Sequence, residues 1–471
     1  MSSEETPLLD CSSTCSIQDE HDKVYDRFSP TQKRTIVSVV SWAAIIPLFV
    51  SSSFIPSVPE IAREFGSTGA IINLAVSLSL TSVSVSSLVW ATYSGHYGRR
   101  PVYLASLPCL CIGSLGVALA RSVPSLMLWR VIQAFGTSSI MSVGAAVLGD
   151  IYKVEERGTA MGLFFGASLL GAALAPLVGG LATHYTSWRD MQYALFVTGL
   201  IAIALMFRYL PETSHPGTRG VDKLASASEC SSKRVGWVWL NPFSSMALLR
   251  SPNILAMTLI SASGLLTDYV LLIPLSYTVG VRYHITNEAL IGALFMASGV
   301  GNILGSLLAG PISDRNVVKW RAHRAGEWVP EDRLRATLWP AATLVPLSVL
   351  FSGLTTRFID GKLGIALNLA CLFMNGIGAD LALSPVSAYL VDLVHDRSAE
   401  LIAVHDAIRN LLVALATTVF LPLIASIGVA GTDAIVTLIA YAGFGLLWTV
   451  IRYGGRMRAM VDVGYSTAST N

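Results

Sequence analysis

The sequence predicts an all-α membrane protein: twelve transmembrane helices in two pseudo-symmetric six-helix bundles. Three observations predict it. The chain of 471 residues is 53% hydrophobic and only 13% charged, against roughly 25% charged in an ordinary soluble domain. Apolar runs recur along it, each matching the about 20 mostly apolar residues that one bilayer crossing needs. Loops at corresponding places in the two halves also echo each other. A net charge of +2 gives no reason to expect a nucleic-acid partner. The expected surroundings are a lipid bilayer, and the expected working unit is a monomer.

Residues 1–34 are polar and acidic and read as a disordered cytoplasmic tail without a cleavable signal peptide. The first bundle, 35–210, takes spans at Thr35–Pro56, Ala70–Tyr93, Val102–Ala120, Ser125–Leu148, Thr159–Leu181 and Met191–Tyr209. A long polar insert sets a cytoplasmic central loop over 211–252. The second bundle, 253–453, takes Asn253–Val279, Ala289–Ala309, Ala336–Leu354, Leu363–Leu383, Leu401–Ile427 and Ala434–Ile451. Residues 454–471 read as a cytoplasmic tail. Ser, Thr, Asn and Gly soften several spans, as expected where one face lines a wet cavity. With the N-terminus inside, Lys and Arg divide about four to one in favour of the cytoplasmic side, which the positive-inside rule requires.

The echo between halves is specific. GDIYKVEERGTAMG (Gly149–Gly162) follows span four and VDLVHDRSAELIAV (Val391–Val404) follows span ten; each opens with an acid, Asp150 or Asp392, at the membrane edge. YSGHYGRR after span two is matched by PISDRNVVK (Pro311–Lys319) after span eight. Paired six-span halves with a cavity at their interface are a transporter architecture.

Three segments then stand out. The loop ATYSGHYGRR (Ala91–Arg100) joins Gly98, which suits a tight turn, to the paired anchors Arg99 and Arg100. LWRVIQAFG (Leu128–Gly136) places Arg130 inside span four, where a charge is costly. Span five carries Gly162, Gly171, Ala175, Pro176, Gly179 and Gly180. Small residues let helix backbones approach closely, and proline removes a backbone donor and bends the helix. Ordinary tight packing explains any single glycine equally well, and simple anchoring explains Arg99 and Arg100.

On these segments the chain resembles the major facilitator superfamily, and within it fungal twelve-span drug:proton antiporter-type carriers, from span one to span twelve. The resemblance implies the major facilitator fold, a loop motif at Ala91–Arg100, an intramembrane arginine at Arg130 and an antiporter motif in span five, with Ala175 replacing one glycine. It implies gating roles for Gly98, Arg99, Arg100, Gly171, Pro176, Gly179 and Gly180. The loop departs from the family pattern: Gly95 stands where an aspartate is usual, so one conformational brace is expected to be loosened. Asp314 and Arg315 keep that brace in the second half.

Among intramembrane charges, Asp268 in LLTDYVLLIP lies near the middle of span seven and is the leading proton-carrier candidate. Its alternative is a structural partnership with Arg130 or a backbone group. Asp380 reads as gating or structural, and Asp406 with Arg409 as an interfacial helix pair. Gln133, Tyr269 and Asn375 are candidates to line the pathway, with core packing the alternative for each. Spans one, two, four and five hold no Asp or Glu, which disfavours strongly cationic substrates and leaves organic anions or neutral metabolites open.

No G-x-x-x-x-G-K-[ST] loop is present, which argues against ATP-driven transport. Neither a metal nor a nucleophile constellation appears, so no enzyme activity, metal or cofactor is expected. The leading expectation is a proton-coupled antiporter exporting small organic compounds, drugs or secondary metabolites. The rivals are a facilitator or proton symporter for an organic acid, and a non-transporting membrane sensor on the same fold. A plasma-membrane location is expected. The tail peptide EETPLL, with Glu4, Leu8 and Leu9 in an acidic dileucine pattern, makes a vacuolar or endosomal membrane the alternative.

Overall fold

A computed structural model describes residues 25, 27–152, 154–215, 219–222, 239–285, 287–324, 329–394, 398–461 and 465. The first half comprises α1 (Pro30–Ser52), α2 (Gly69–Tyr97), α3 (Arg99–Ala118), α4 (Val123–Ile151), α5 (Val154–Tyr185) and α6 (Trp188–Tyr209). The second comprises α7 (Pro252–Leu272), α8 (Glu288–His323), α9 (Val345–Phe358), α10 (Gly361–Leu393) and α11 (Ser398–Met460). Eleven helical stretches among the described residues are long and apolar enough to cross a bilayer. The last, α11, bends at Gly428, whose φ of 79° and ψ of 170° lie outside the helical region. Its two arms are separate crossings, which makes twelve.

Local chemistry sets several boundaries differently from the sequence expectation. The first helix starts at Pro30, before residue 35. Ser29 and Gln32 form a reciprocal capping box, with Pro30 in the first turn, and a cap of this kind contributes about 1 kcal/mol. The expected loop between spans two and three shrinks to one residue: α2 ends at Tyr97, α3 starts at Arg99, and Gly98 between them has φ 105°. That backbone region favours glycine. The segment Pro311–Lys319, expected as a loop, is helical, because α8 continues to His323 with Pro311 inside it. The C-terminal helix likewise runs to Met460, past the expected boundary at 453.

A core including Val40, Ala44, Tyr103, Leu107, Ile140 and Phe164 binds α1, α3, α4 and α5. Ile254, Met257, Tyr389, Leu390 and Val450 do the same for α7, α10 and α11. Between halves, α5 packs on α8 and α2 packs on α11. The end of the bundle that holds Arg99, Arg333 and the central segment is called the basic end below, and the opposite one the far end.

Candidate functional site

The span-five motif turns out to serve two helices. Gly171 and Gly179, eight residues apart, lie on one face of α5, where added side chains would strike the backbones of Ile45 and Ser53. Both therefore pack against the first span of their own half. Ala173, Pro176, Leu177 and Gly180 lie on another face, against Gly292 and Gly299 of α8. Of the two stripes it is the second that meets the opposite half, whereas Gly171 and Gly179 face α1 and the residue that follows it. α8 is built the same way, with Gly301 and Gly305 set against the backbones of Phe373 and Ile377 in α10. Two crowded faces per helix require small residues on both.

The seam is tight at the far end and opens at the basic end. There is no room for a side chain at Gly69 beside Tyr277, nor at Gly292 beside the Pro176 carbonyl. Asn73 donates to the Thr417 carbonyl at 2.8 Å, and the Ser77 and Thr417 hydroxyls are 2.8 Å apart. Towards the basic end, the α5 stripe continues as Gly166 and Gly162 and the α8 stripe as Gly310, and side chains added at all three would touch nothing. α2 and α11 stay in contact there through Leu88, Val404 and Ala407.

At the basic end each half has a clamp. Arg99 Nε bonds Asp150 Oδ2 at 2.9 Å, and Arg333 Nε bonds Asp392 Oδ2 at 2.8 Å. Asp314 is held by Arg333 as well, at 3.1 Å, while Arg315 is exposed on α8. Arg100 donates to the Phe207 carbonyl at 2.9 Å. Glu212, just beyond α6, accepts the backbone N–H groups of Arg99 at 3.0 Å and Arg100 at 3.2 Å. A carboxylate on the unsatisfied N-terminus of α3 contributes about 0.3–1 kcal/mol. Burial alone raises a carboxyl pKa, but hydrogen bonds from Arg99, Ser214 and Arg100 bring that of Glu212 below its ordinary 4.5.

Deeper in, the polar residues separate into two kinds. Gln133 is fully buried and turned into its own half, donating to Ser114 at 2.8 Å and to Gln192 at 3.0 Å. Asn375 does likewise, donating to Ser348 at 3.0 Å and Thr267 at 3.3 Å. Both hydrogen-bond within their own bundles. Arg130 is 1% exposed. It donates to Gln133 Oε1 at 2.8 Å and the Val50 carbonyl at 3.4 Å, beneath the Phe54 ring 4.3 Å away. Among the described residues it has no carboxylate partner, and its Nε is unbonded.

The second half holds the acids. Asp268, half-buried, accepts from Ser298 of α8 at 3.0 Å; no Arg130–Asp268 pair forms. Asp380 packs against Gly305 of α8, two helical turns beyond Ser298, about 10 Å along the axis. Tyr269 lies beside Leu80, Val413 and Ala414 where α2, α7 and α11 meet. Asp406 and Arg409 pair at 3.0 Å on one helix face. His405, fully buried, faces the Thr258 hydroxyl at 3.1 Å. The sorting candidates Glu4, Leu8 and Leu9 lie outside the described residues.

Glu212 and Arg333 were not singled out from the sequence. A spacing signal was available for Arg333. Ser114 follows Arg99 by fifteen residues, as Ser348 follows Arg333, and Gln133 precedes Asp150 by seventeen, as Asn375 precedes Asp392. Glu212 has no such mark, because it is joined to α3 only in space.

The comparisons agree with this architecture. The profile described as Major Facilitator Superfamily matches residues 40–417. The MFS antiporter QDR3 of Candida albicans is 22% identical, over 92% of this chain and 79% of its own length. Citrate exporter 1 of Aspergillus niger is 24% identical, over 94% and 88%. The fold is also that of the xylose transporter XylE from E. coli, solved in a partially occluded inward-open conformation. That likeness has a TM-score of 0.65 at 13% identity and covers 89% of this chain and 98% of the other.

Proposed function

Since the chain belongs to the major facilitator superfamily, and is thus a multi-pass membrane transporter of small organic substrates rather than an enzyme, we propose that it exports drugs or secondary metabolites in exchange for protons by alternating access. One observation carries the reading. The halves meet on small-residue stripes closed at the far end and open at the basic end, and charge inside the spans is divided between them, the buried Arg130 in one and the half-buried Asp268 in the other. With the basic end cytoplasmic, as its Lys and Arg content argues, this is the loading conformation of an exporter. Its relatives named antiporter and exporter support that direction. The plasma membrane is the proposed location and the monomer the working unit.

Asp268 is the coupling group in this scheme. Facing the cytoplasm it gives up its proton and the site takes substrate. Facing outward it is reprotonated as substrate leaves, and the neutral carboxyl returns at lower cost in a low-dielectric interior. Asp268→Asn keeps size and hydrogen bonding but fixes the group neutral. In proteoliposomes the variant is expected to lose gradient-driven accumulation and retain substrate counterflow. An Asn variant that still concentrates substrate with protons removes Asp268 from the scheme.

One observation favours a second reading, a facilitator or proton symporter for an organic acid. Arg130 is a buried guanidinium without a carboxylate partner among the described residues, and one relative is a citrate exporter. Anion flux that persists without a proton gradient identifies a facilitator, and flux that runs with protons identifies a symporter.

A further inference from the structure

The second half encloses a small cavity that the transport scheme leaves unused. Its apolar wall comes from α7 and the segment that follows it, from α10 and from α11, and its polar residues are Thr278, Ser352, Thr356, Asn368 and Asp433. The space open to the centre of a water-sized sphere is about 10 Å³, close to the lower limit for holding one water. Asp433 belongs to the second arm of α11, beyond residue 417 where the family profile stops. It is 2% exposed, and its carboxylate has no hydrogen-bond or ion-pair partner among the described residues. Gly353 lies against it, where any side chain would crowd Oδ2.

The hydrogen bonds around the cavity all point one way. The Thr278 hydroxyl donates to the Pro274 carbonyl at 3.0 Å. Ser352 and Thr356 both donate to Asn368 Oδ1, at 2.8 and 3.2 Å. The Asn368 amide nitrogen donates to the Gly364 carbonyl at 3.0 Å and to the Tyr283 hydroxyl at 3.3 Å. Each polar proton is committed elsewhere, so what remains for the cavity is lone pairs: three hydroxyl oxygens and a carboxylate. A space lined by acceptors around an uncompensated negative charge attracts a cation.

We propose that this cavity is a sodium-sized monovalent cation site, with Asp433 as its charged ligand and the Thr278, Ser352 and Thr356 oxygens as neutral ones. One carboxylate neutralises one positive charge, whereas a divalent ion would stay undercompensated among neutral ligands. All-oxygen ligation suits a hard cation. Potassium is as large as a water molecule and fills the space, while sodium leaves room for the ligands to close. Occupancy ties the segment after α7, which carries Thr278, to α9 and to the far arm of α11.

The test is equilibrium binding of radiolabelled sodium to the purified full-length chain, beside thermal unfolding in sodium, potassium or choline chloride at one ionic strength. The expected result is one saturable sodium per chain and a Tm that rises with sodium, less with potassium and not with choline. Asp433→Asn should abolish binding. Thr356→Val, which keeps shape and removes one oxygen, should weaken it about tenfold, a loss typical of altered ligand shells. Equal Tm curves in sodium and choline overturn the proposal. So does sodium binding unchanged in both variants, or a Tm that responds to pH alone, the signature of a protonated carboxyl with a water. No readout involves transport, so failure here leaves the coupling role of Asp268 to its own test.

Discussion

The two halves of this molecule share a frame and differ in what they bury. Arg99–Asp150 and Arg333–Asp392 are matching clamps, joined through the same atoms at 2.9 and 2.8 Å. Ser114–Gln133 and Ser348–Asn375 are matching internal struts. Three residues before Gln133 comes Arg130; three before Asn375 comes Leu372, buried and apolar. Among the described residues the first half thus buries a cation, Arg130, without an acid, and the second holds a buried Asp433 and the half-buried Asp268 and Asp380 without a cation bonded to any of them. A duplicated frame needs the same residues twice, because the same helix contacts recur. The charges inside the spans are not part of that frame, so the shared helix contacts do not require them to match.

The largest expected effect separates the two stripes of α5. Gly292→Leu must displace the Pro176 carbonyl across the seam, and overpacking of this kind costs about 1–3 kcal/mol or more. It should reduce transport to background in vesicles while the protein still inserts and purifies. Gly179→Leu instead collides with Ser53 inside the first half, so its loss should register as lower yield and Tm. If both variants show the same profile, the division of the helix into two faces is wrong.

Next come the buried charges against the clamps. Arg130→Ala should slow transport at least about tenfold, an effect of about 1.4 kcal/mol on the limiting step. Arg99→Ala should slow it less, because Glu212 still holds the start of α3 through backbone N–H groups. Initial rates at matched expression decide the ranking, and the reverse order counts against a functional role for Arg130.

The struts should behave as equals. Gln133→Ala and Asn375→Ala each leave buried partners unsatisfied, at about 1–3 kcal/mol. Both should lower Tm by similar amounts, with transport by the surviving folded protein largely kept. A strut whose loss abolishes transport without changing Tm would have to be moved to the pathway.

The smallest effect belongs to Glu212. Its folded pKa lies below the ordinary 4.5, so its contribution is fully present above that value and is lost as pH falls through the lowered pKa. Glu212→Gln should cost about 0.3–1 kcal/mol at neutral pH and little or nothing once the medium is acid enough to protonate the wild type. Detergent Tm measured from pH 7 downward should show the two proteins converging. A constant gap across that range would assign the effect to shape rather than charge.

Much of this was legible without coordinates. Hydropathy marked the crossings because a bilayer tolerates no unsatisfied backbone, and glycine spacing marked span five. Arg130, Asp268 and Gly98 were legible for the same reason: a charge in an apolar run, or a glycine between two helices, is anomalous where it stands. Loop boundaries were less so. Pro311–Lys319 reads as polar and loop-like, yet a polar helix can continue beyond the bilayer with its backbone satisfied internally. For Gln133 and Asn375 the sequence leaves pathway lining and core packing both open, because polarity within a span has two uses and sequence does not distinguish a wet face from a neighbour's hydroxyl.

The sequence by itself determined the class, the twofold plan and which residues are chemically out of place. Those depend on composition and period, properties of the chain alone. Tertiary structure decided the partners: that Glu212 caps the start of α3, that Asp314 binds Arg333, that Gly179 faces α1 while Gly180 faces α8, and that Asp433 looks into a cavity of lone pairs. Each of these joins residues from different helices, and the direction of a side chain around a helix axis acquires meaning only when a neighbour is packed against it.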